Sequence, residues 1–378
     1  MTILNFLWDY VFIFLFVLTI LVFVHELGHY LVARYNNVRV EVFSIGFGAE
    51  LYGWTDKVGT RWKISAIPLG GYVKMFGEKD AVGWDEDERP MTDAERAVSF
   101  HHKRLGQRAA IVAAGPLANF LFAIVVLGAL FAAVGTPAPL AGVGSVAEDS
   151  AAARAGLQAG DRIHSIDGQP VVWFQELSDI VRMSPEKTLV LDVERNGSRQ
   201  LFSAVPHRFE VAGPDGVPQT IGRLGVTPDQ AQIGYERRDA LTAAWLGVER
   251  TFGLCWQILA YLGQIINGSQ SADQLGGPLR IAQMSGDIAQ GSAVNLILFI
   301  AALSINLGLI NLFPVPMLDG GHLVFYAVEA LRGRPVSERV REYSFRFGLA
   351  LVMLLMVFAT WNDLTHLKFF QFLKQLVT

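Results

Sequence analysis

The feature that most constrains this chain is a set of long runs without charge. Tyr10 to Ala33 covers 24 residues, and Glu26 is the only formal charge among them. Ala109 to Val134 has 26 residues and Gly291 to Leu318 has 28, with no charge at all. A helix needs about 20 apolar residues to cross the hydrocarbon core of a bilayer. Each run therefore reads as a transmembrane helix. Phe347 to Asn362 is uncharged but shorter, and reads as a fourth span. Only 17% of the 378 residues are charged, against about 25% in a soluble domain, and the deficit sits in these runs. The fold class expected is an α-helical multi-pass membrane protein with four transmembrane helices. The first run has no Lys or Arg before it, is too long for a signal peptide and lacks a small-residue cleavage pattern, so it reads as a retained span.

Composition narrows the partners. The net charge of −4 gives no basic patch and argues against nucleic acid. The single cysteine, Cys255, can form neither an internal disulfide nor a thiolate metal site. Orientation follows from the loops, because Lys and Arg accumulate on the cytoplasmic side. Residues 1–9 carry none, 33–108 carry twelve, 319–346 carry five and the tail after 362 carries two. Both basic loops are thus expected inside, and both termini and segment 135–290 outside. Residues 243–266 are moderately apolar but hold Glu249 and Arg250 side by side, which is costly in mid-membrane. They read as an amphipathic helix at the outer interface, in contact with lipid. The domains expected are 1–134, 135–240, 241–290 and 291–378.

The chemistry sits in the first run, which reads His25-Glu26-Leu27-Gly28-His29. Residues four apart share one helix face, so the two imidazoles can grip one cation. Zinc takes nitrogen ligands, and a catalytic site keeps one position open for water. Glu26 is placed to act as general base toward that water. The bare pattern arises by composition in on the order of one per cent of chains this size. Its setting adds weight, because burying these three residues in an apolar run is costly and marks a functional site. A third ligand is missing. The third run ends in Asn311-Leu-Phe-Pro314-Val-Pro316-Met-Leu-Asp319-Gly-Gly-His322. Asp319 is the first charge after it, and it reaches the depth of the histidine pair if 241–266 does not cross the membrane. His322 is the rival ligand. The bland reading of Asp319 is a helix-end aspartate in a turn.

These two motifs together resemble the site-2 protease family of intramembrane zinc metalloproteases. The order of parts is similar to its bacterial RseP-type members and covers nearly the whole chain. The resemblance implies that Zn2+ is held by His25, His29 and Asp319 and that Glu26 is the catalytic glutamate. It implies an α+β PDZ domain outside the cytoplasm of a bacterial inner-membrane protein, with the active site toward the cytoplasmic side. It further implies single-span transmembrane substrates, such as anti-sigma factors or remnant signal peptides, trimmed first by an upstream site-1-type protease.

Other segments fit around this frame. Ala155-Gly-Leu-Gln-Ala-Gly160-Asp161-Arg-Ile-His-Ser-Ile-Asp167-Gly168 resembles the PDZ signature, with a strand over Arg162–Ile166, a helix over Trp173–Val181 and a strand over Thr188–Glu194. His164 reads as a surface residue, and Gly142-Val-Gly144-Ser145 as the candidate carboxylate-binding loop. Peptide binding and a size filter are both open roles for this domain. Trp62–Ile67 and Tyr72–Met75 read as strands; the resemblance makes this a membrane-associated β-hairpin that pairs with an unfolded substrate segment. Asp85–Glu95 reads as a solvated acidic loop. Gly115-Pro116-Leu-Ala-Asn119 reads either as a kinked packing surface or as a source of the Asn119 amide for substrate or an oxyanion; the family has an asparagine at the matching place. Leu275-Gly-Gly-Pro-Leu-Arg280 resembles a family segment but suggests no chemistry. Two rivals remain: a membrane PDZ receptor with a structural metal, and a metal transporter.

Overall fold

The computed structural model describes residues 7–77, 91–212, 218–271 and 276–366. The chain divides into two units, Met1–Leu130 with Ala240–Thr378, and Phe131–Asp239.

In the first unit a π-helical turn, Leu7–Phe12, leads into α1, Ile13–Tyr35. Apolar residues surround α1 on all sides, and in lipid a helix is one of the few ways to satisfy every backbone group. Among the described residues four helices are long and apolar enough to cross a membrane: Tyr10–Tyr35, Leu105–Ala133, Ala293–Asn311 and Glu338–Thr365. They include α1 and match the four expected spans. The fourth is longer than its uncharged core, because the helix starts within the preceding charged segment.

After α1 come two long strands, β1 (Val40–Thr55) and β2 (Arg61–Met75). This corrects the two short strands expected. Trp62–Ile67 and Tyr72–Met75 are parts of one strand, and its partner β1 was not anticipated. Both strands bend and pair with each other twice. Val40–Ile45 pairs with Gly71–Met75 on one edge and with Arg61–Ile64 on the other, while Glu50–Thr55 pairs with Arg61–Ser65. The bend in β1 falls at Gly46 and Gly48, whose φ values of 89° and 85° suit glycine. The result is four segments in the order 71–75, 40–45, 61–65, 50–55, in which the two outer pairings are antiparallel and the central one, 42–45 with 61–64, is parallel. Phe43 stacks on Trp62 at 4.3 Å, and Tyr30 and Phe23 of α1 meet Phe43 edge-on. Aromatic packing thus holds the sheet against α1. Its far half exposes Leu51, Tyr52, Trp54, Ile64, Ile67 and Leu69. Residues 85–90 of the expected acidic loop lie outside the described residues. Its end is instead ordered: Thr92 and Glu95 form a capping box for α2, Asp93–Val98.

The long α3, Leu105–Ala133, contains Pro116. It crosses α1 closely, since a Cβ on Gly28 would meet the Ala114 carbonyl and stand 2.7 Å from the Ala118 Cβ.

The second unit is α+β, with antiparallel strand pairings. After β3 (Thr136–Pro139) come β4 (Val143–Val146) and a single turn of helix, α4 (Ala151–Ala155). Then follow β5 (Arg162–Ile166), β6 (Gln169–Pro170), α5 (Phe174–Arg182), β7 (Leu189–Arg195) and β8 (Ser198–Ala204). The remaining strands are β9 (His207–Ala212), β10 (Pro218–Arg223), β11 (Val226–Pro228) and β12 (Ile233–Glu236). Four strands pair in the order β6-β5-β7-β8, while β4 pairs with β11 and β3 with β12. The expected strands and helix of this region are present as β5, β7 and α5. Ile163, Ile166, Leu177, Leu191 and Val193 form the core. Buried Asp161 receives two bonds of 2.7 Å from Arg195 and one of 2.8 Å from the Gln158 amide, which fixes the Gly160-Asp161 turn. His164 bonds Glu194 at 2.7 Å on the outward side of β5.

Helix α6, Ala240–Ile266, starts the return to the first unit. Its Gly247 would meet the Ile124 carbonyl at 2.8 Å if it carried a Cβ, and Gly128 faces Ala244. Rising numbers on α6 meet falling numbers on α3, so the two run antiparallel in close contact. The exposed Glu249 and Arg250 lie beyond this seam. Helix α7, Pro278–Ala289, follows. Its start explains the Gly-Gly-Pro motif. Buried Asp363 accepts bonds from the amides of Gly277 (2.8 Å), Leu279 (3.1 Å) and Arg280 (3.0 Å). A side chain on Gly277 would strike Asp363 and Ala359. Helices α8 (Ala293–Asn311), α9 (Asp319–Arg332) and α10 (Glu338–His366) complete the unit.

Candidate metal centre

His25 and His29 occupy one face of α1, one turn apart, with ring centroids 4.8 Å apart and nearly perpendicular. Both are buried, and their Nε2 atoms lie 3.2 Å from each other. Asp319 is the first residue of α9. Its Oδ2 lies 3.2 Å from His25 Nε2 and 3.6 Å from His29 Nε2. The three donor atoms all lie within 4.8 Å of one another. Two imidazole nitrogens and one carboxylate oxygen are a donor set of catalytic zinc, and they leave a coordination position open. Among the described residues His322 does not join this group. Its ring packs on Phe345 at 5.3 Å, and burial holds its pKa below the usual histidine value.

Local sequence puts Asp319 there. Pro314 and Pro316 cannot continue α8, and the chain turns sharply before α9 begins. Gly320 and Gly321 make the turn possible. A Cβ on Gly320 would enter the carbonyls of Leu312 and Phe313, and one on Gly321 would stand 2.5 Å from the Pro316 Cα. Further along α9, Glu329 bonds Arg108 of α3 at 2.5 Å, and Arg108 lies over the Tyr326 ring. Asp319 therefore projects from a helix pinned at both ends.

The histidines are oriented from α3. His29 Nδ1 donates to the Ile111 carbonyl at 2.8 Å, which leaves its Nε2 lone pair facing the centre. The Asn119 amide meets His25 Nδ1 at 3.1 Å. Gly115, between them on the same face, leaves the space the rings occupy: a Cβ there would stand 2.6 Å from His29 Cε1 and 2.8 Å from His25 Cε1. Ile111, Gly115 and Asn119 recur every four residues. That spacing was visible beforehand, but the role of Ile111, which is exerted by a backbone carbonyl, carries no side-chain signal.

Glu26 faces the sheet. A Cβ on Gly71 would stand 3.3 Å from the Glu26 Cγ. Segment 71–75 is an outer strand of the sheet, pairing with 40–45 on its inner side, and its Gly71 end lies beside Glu26. In the second unit, β4 differs from the expected carboxylate-binding loop. It pairs with β11 on one side, and at Val143 it also bonds Asp161 and Gly160 on the other.

The residues 13–355 match the profile of peptidase family M50. A protein of Rhizobium meliloti named "Putative zinc metalloprotease" is 47% identical over 358 residues, covering 94% of this chain and 96% of its own. The regulator of sigma-E protease RseP of Salmonella typhimurium is 33% identical over 450 residues, covering 94% of this chain and 98% of its own. Among solved structures, the PDZ domain of the SdrC-like protein from Listeria monocytogenes is 25% identical, covers 23% of this chain and 84% of its own, and superposes with a TM-score of 0.18. A family match over most of the chain, relatives aligned nearly end to end, and a buried His-His-Asp donor set beside a glutamate agree: the chain belongs to peptidase family M50, the site-2 protease family, and is a zinc metalloprotease.

Proposed function

We propose that this enzyme cuts single-span membrane proteins inside the bilayer, with zinc held by His25, His29 and Asp319 and with Glu26 as the general base. The observation that carries the proposal is the convergence of His25, His29 and Asp319 next to Glu26 and to the Gly71 end of an outer strand. Zinc, when bound, acidifies a water molecule and polarises the scissile carbonyl. Glu26 takes the proton from the water and returns it to the departing amine. A helical substrate hides its peptide bonds in its own hydrogen bonds. The edge of 71–75 can hold an unwound segment as an added strand, which brings a bare carbonyl to the centre. The exposed apolar half of the sheet suits contact with lipid.

The loop charges support a cytoplasmic side for 33–108 and 319–346 in a bacterial inner membrane, and a periplasmic side for the unit 131–239 as a PDZ domain. Substrates are then anti-sigma factors or remnant signal peptides, trimmed first by another protease. The Phe131–Asp239 unit contributes none of the proposed site residues, and it serves as a filter against untrimmed substrates. The deciding experiment measures cleavage of a single-span reporter by the detergent-purified protein, with and without a zinc chelator, and by Glu26→Gln. The variant keeps stoichiometric zinc and loses cleavage. Loss of zinc together with activity would make Glu26 a ligand and refute the assignment.

A further inference from the structure

Asn119 of α3 has no exposed surface. Three helices fix it. Its backbone carbonyl accepts a 2.9 Å bond from Ser304 Oγ of α8. Gly308 of α8 leaves just enough room beside it, since a Cβ there would stand 3.3 Å from the Asn119 Cβ. Its amide Nδ2 lies 3.1 Å from His25 Nδ1 of α1, while its Oδ1 is buried without a partner among the described residues. A buried carbonyl oxygen without a donor is costly.

The same structure shows what an imidazole at this centre requires. A ring that offers the Nε2 lone pair to a metal carries its proton on Nδ1, and that nitrogen must donate. His29 meets the requirement at the Ile111 carbonyl. At His25 the group facing Nδ1 is the Asn119 amide. A half-turn of that amide exchanges two nearly isosteric ends. Oδ1 then accepts the His25 Nδ1 proton, and the orphaned oxygen and the donor nitrogen satisfy each other.

We propose that Asn119 is a positioning residue, whose amide oxygen fixes the ring and tautomer of His25 so that Nε2 faces the metal; this rests on the reading of His25 as a zinc ligand. Both imidazoles are then set from one face of α3, one by a main-chain carbonyl and one by a side-chain carbonyl. The role differs from holding substrate or an oxyanion in a way that chemistry can separate. Positioning His25 needs an acceptor at 119, whereas stabilising an oxyanion needs a donor.

The test uses the full chain in detergent and measures zinc affinity by competition with a chromophoric chelator, alongside cleavage. Asn119→Leu keeps the volume and removes both polar ends. Asn119→Asp keeps an acceptor and removes the donor. The expected result is a loss of about 10- to 100-fold in zinc affinity for the leucine variant, the usual effect of removing such a partner, and wild-type or tighter affinity for the aspartate variant. Wild-type zinc affinity in Asn119→Leu overturns the proposal and, if cleavage is lost, returns the amide to the substrate side. Equal zinc loss in both variants also overturns it, since the retained acceptor then rescues nothing. Should the leucine variant fail to fold, weakened zinc binding in Asn119→Asp alone is sufficient to reject it. His25→Ala runs in parallel: if that variant keeps its zinc, the reading of the metal centre has failed, and not merely the role of Asn119.

Discussion

Replacing Gly115 with alanine adds one methyl group where the two rings converge. The new Cβ would lie 2.6 Å from His29 Cε1 and 2.8 Å from His25 Cε1. Carbon atoms prefer separations of about 3.5–4.0 Å, so each ring must retreat by roughly 1 Å. In the metal-free protein the rings can swing away. In the metal-bound protein they cannot, because both Nε2 atoms must point at one ion. The strain therefore falls on the bound state. Overpacking of this kind costs about 1–3 kcal/mol, which corresponds to about 5- to 150-fold in zinc affinity. Alanine also favours helix over glycine by up to about 1 kcal/mol, but that gain is common to both states and cancels. The control is Gly106→Ala on the same helix, where an added methyl meets nothing within 4 Å. Chelator competition on both purified variants gives the affinities. Wild-type affinity in Gly115→Ala, or an equal loss in Gly106→Ala, would show that the rings are not confined as argued.

Asp319→Ala should lower zinc content as strongly as His25→Ala; retention of full zinc would hand the third position to another group, His322 being the first to examine. Asp363→Ala strips the carboxylate from three amides at the start of α7, each worth about 1–3 kcal/mol if left unsatisfied. It should lower the thermal stability in detergent while zinc content holds, and an unchanged melting temperature would mean that water replaces the cap. Ile166 is 1% exposed in the core of the Phe131–Asp239 unit, so Ile166→Asp buries a charge at a cost of several kcal/mol and should loosen that unit. Cleavage of untrimmed substrate should then rise with zinc unchanged, whereas an equal loss against trimmed and untrimmed substrates would end the filter idea.

The spans and the clustering of His25, His29 and Asp319 were legible in the sequence because each rests on a strong local rule. Uninterrupted apolar length has few readings in water, and a His-x-x-x-His pair has one helical face. Asp319 was legible through chemistry of a different kind, as a charge at the end of an apolar run that prolines had already broken. The long β1 was not. Val40–Thr55 mixes glycine, polar and aromatic residues without strict alternation, because one half of the strand is central in the sheet and the other half is an exposed edge. The late strands β11 and β12 are short and take their register from β4 and β3, far away in the chain. Gly142–Ser145 was ambiguous for a related reason: glycines suit both a ligand loop and a strand, and here Val143–Val146 is a strand paired with β11.

Ligand identity and ligand geometry are encoded in different helices. In the proposed centre α1 supplies two nitrogens and α9 one oxygen, while α3 contacts the far nitrogen of each imidazole. Ile111, Gly115 and Asn119 make that face, and their spacing matches the histidines because both sets repeat once per turn. Close approach of α1 and α3 is a precondition, and it depends on Gly28 lying against Ala114 and Ala118. In a bilayer such contacts carry more of the burden than in water, because lipid removes the hydrophobic drive between helices and leaves packing and buried hydrogen bonds. The glycine between the two histidines of the metal motif thus has a physical function of its own. It lets the carbonyl that orients His29 come within reach, so the motif encodes the spacing of the centre as well as its donors.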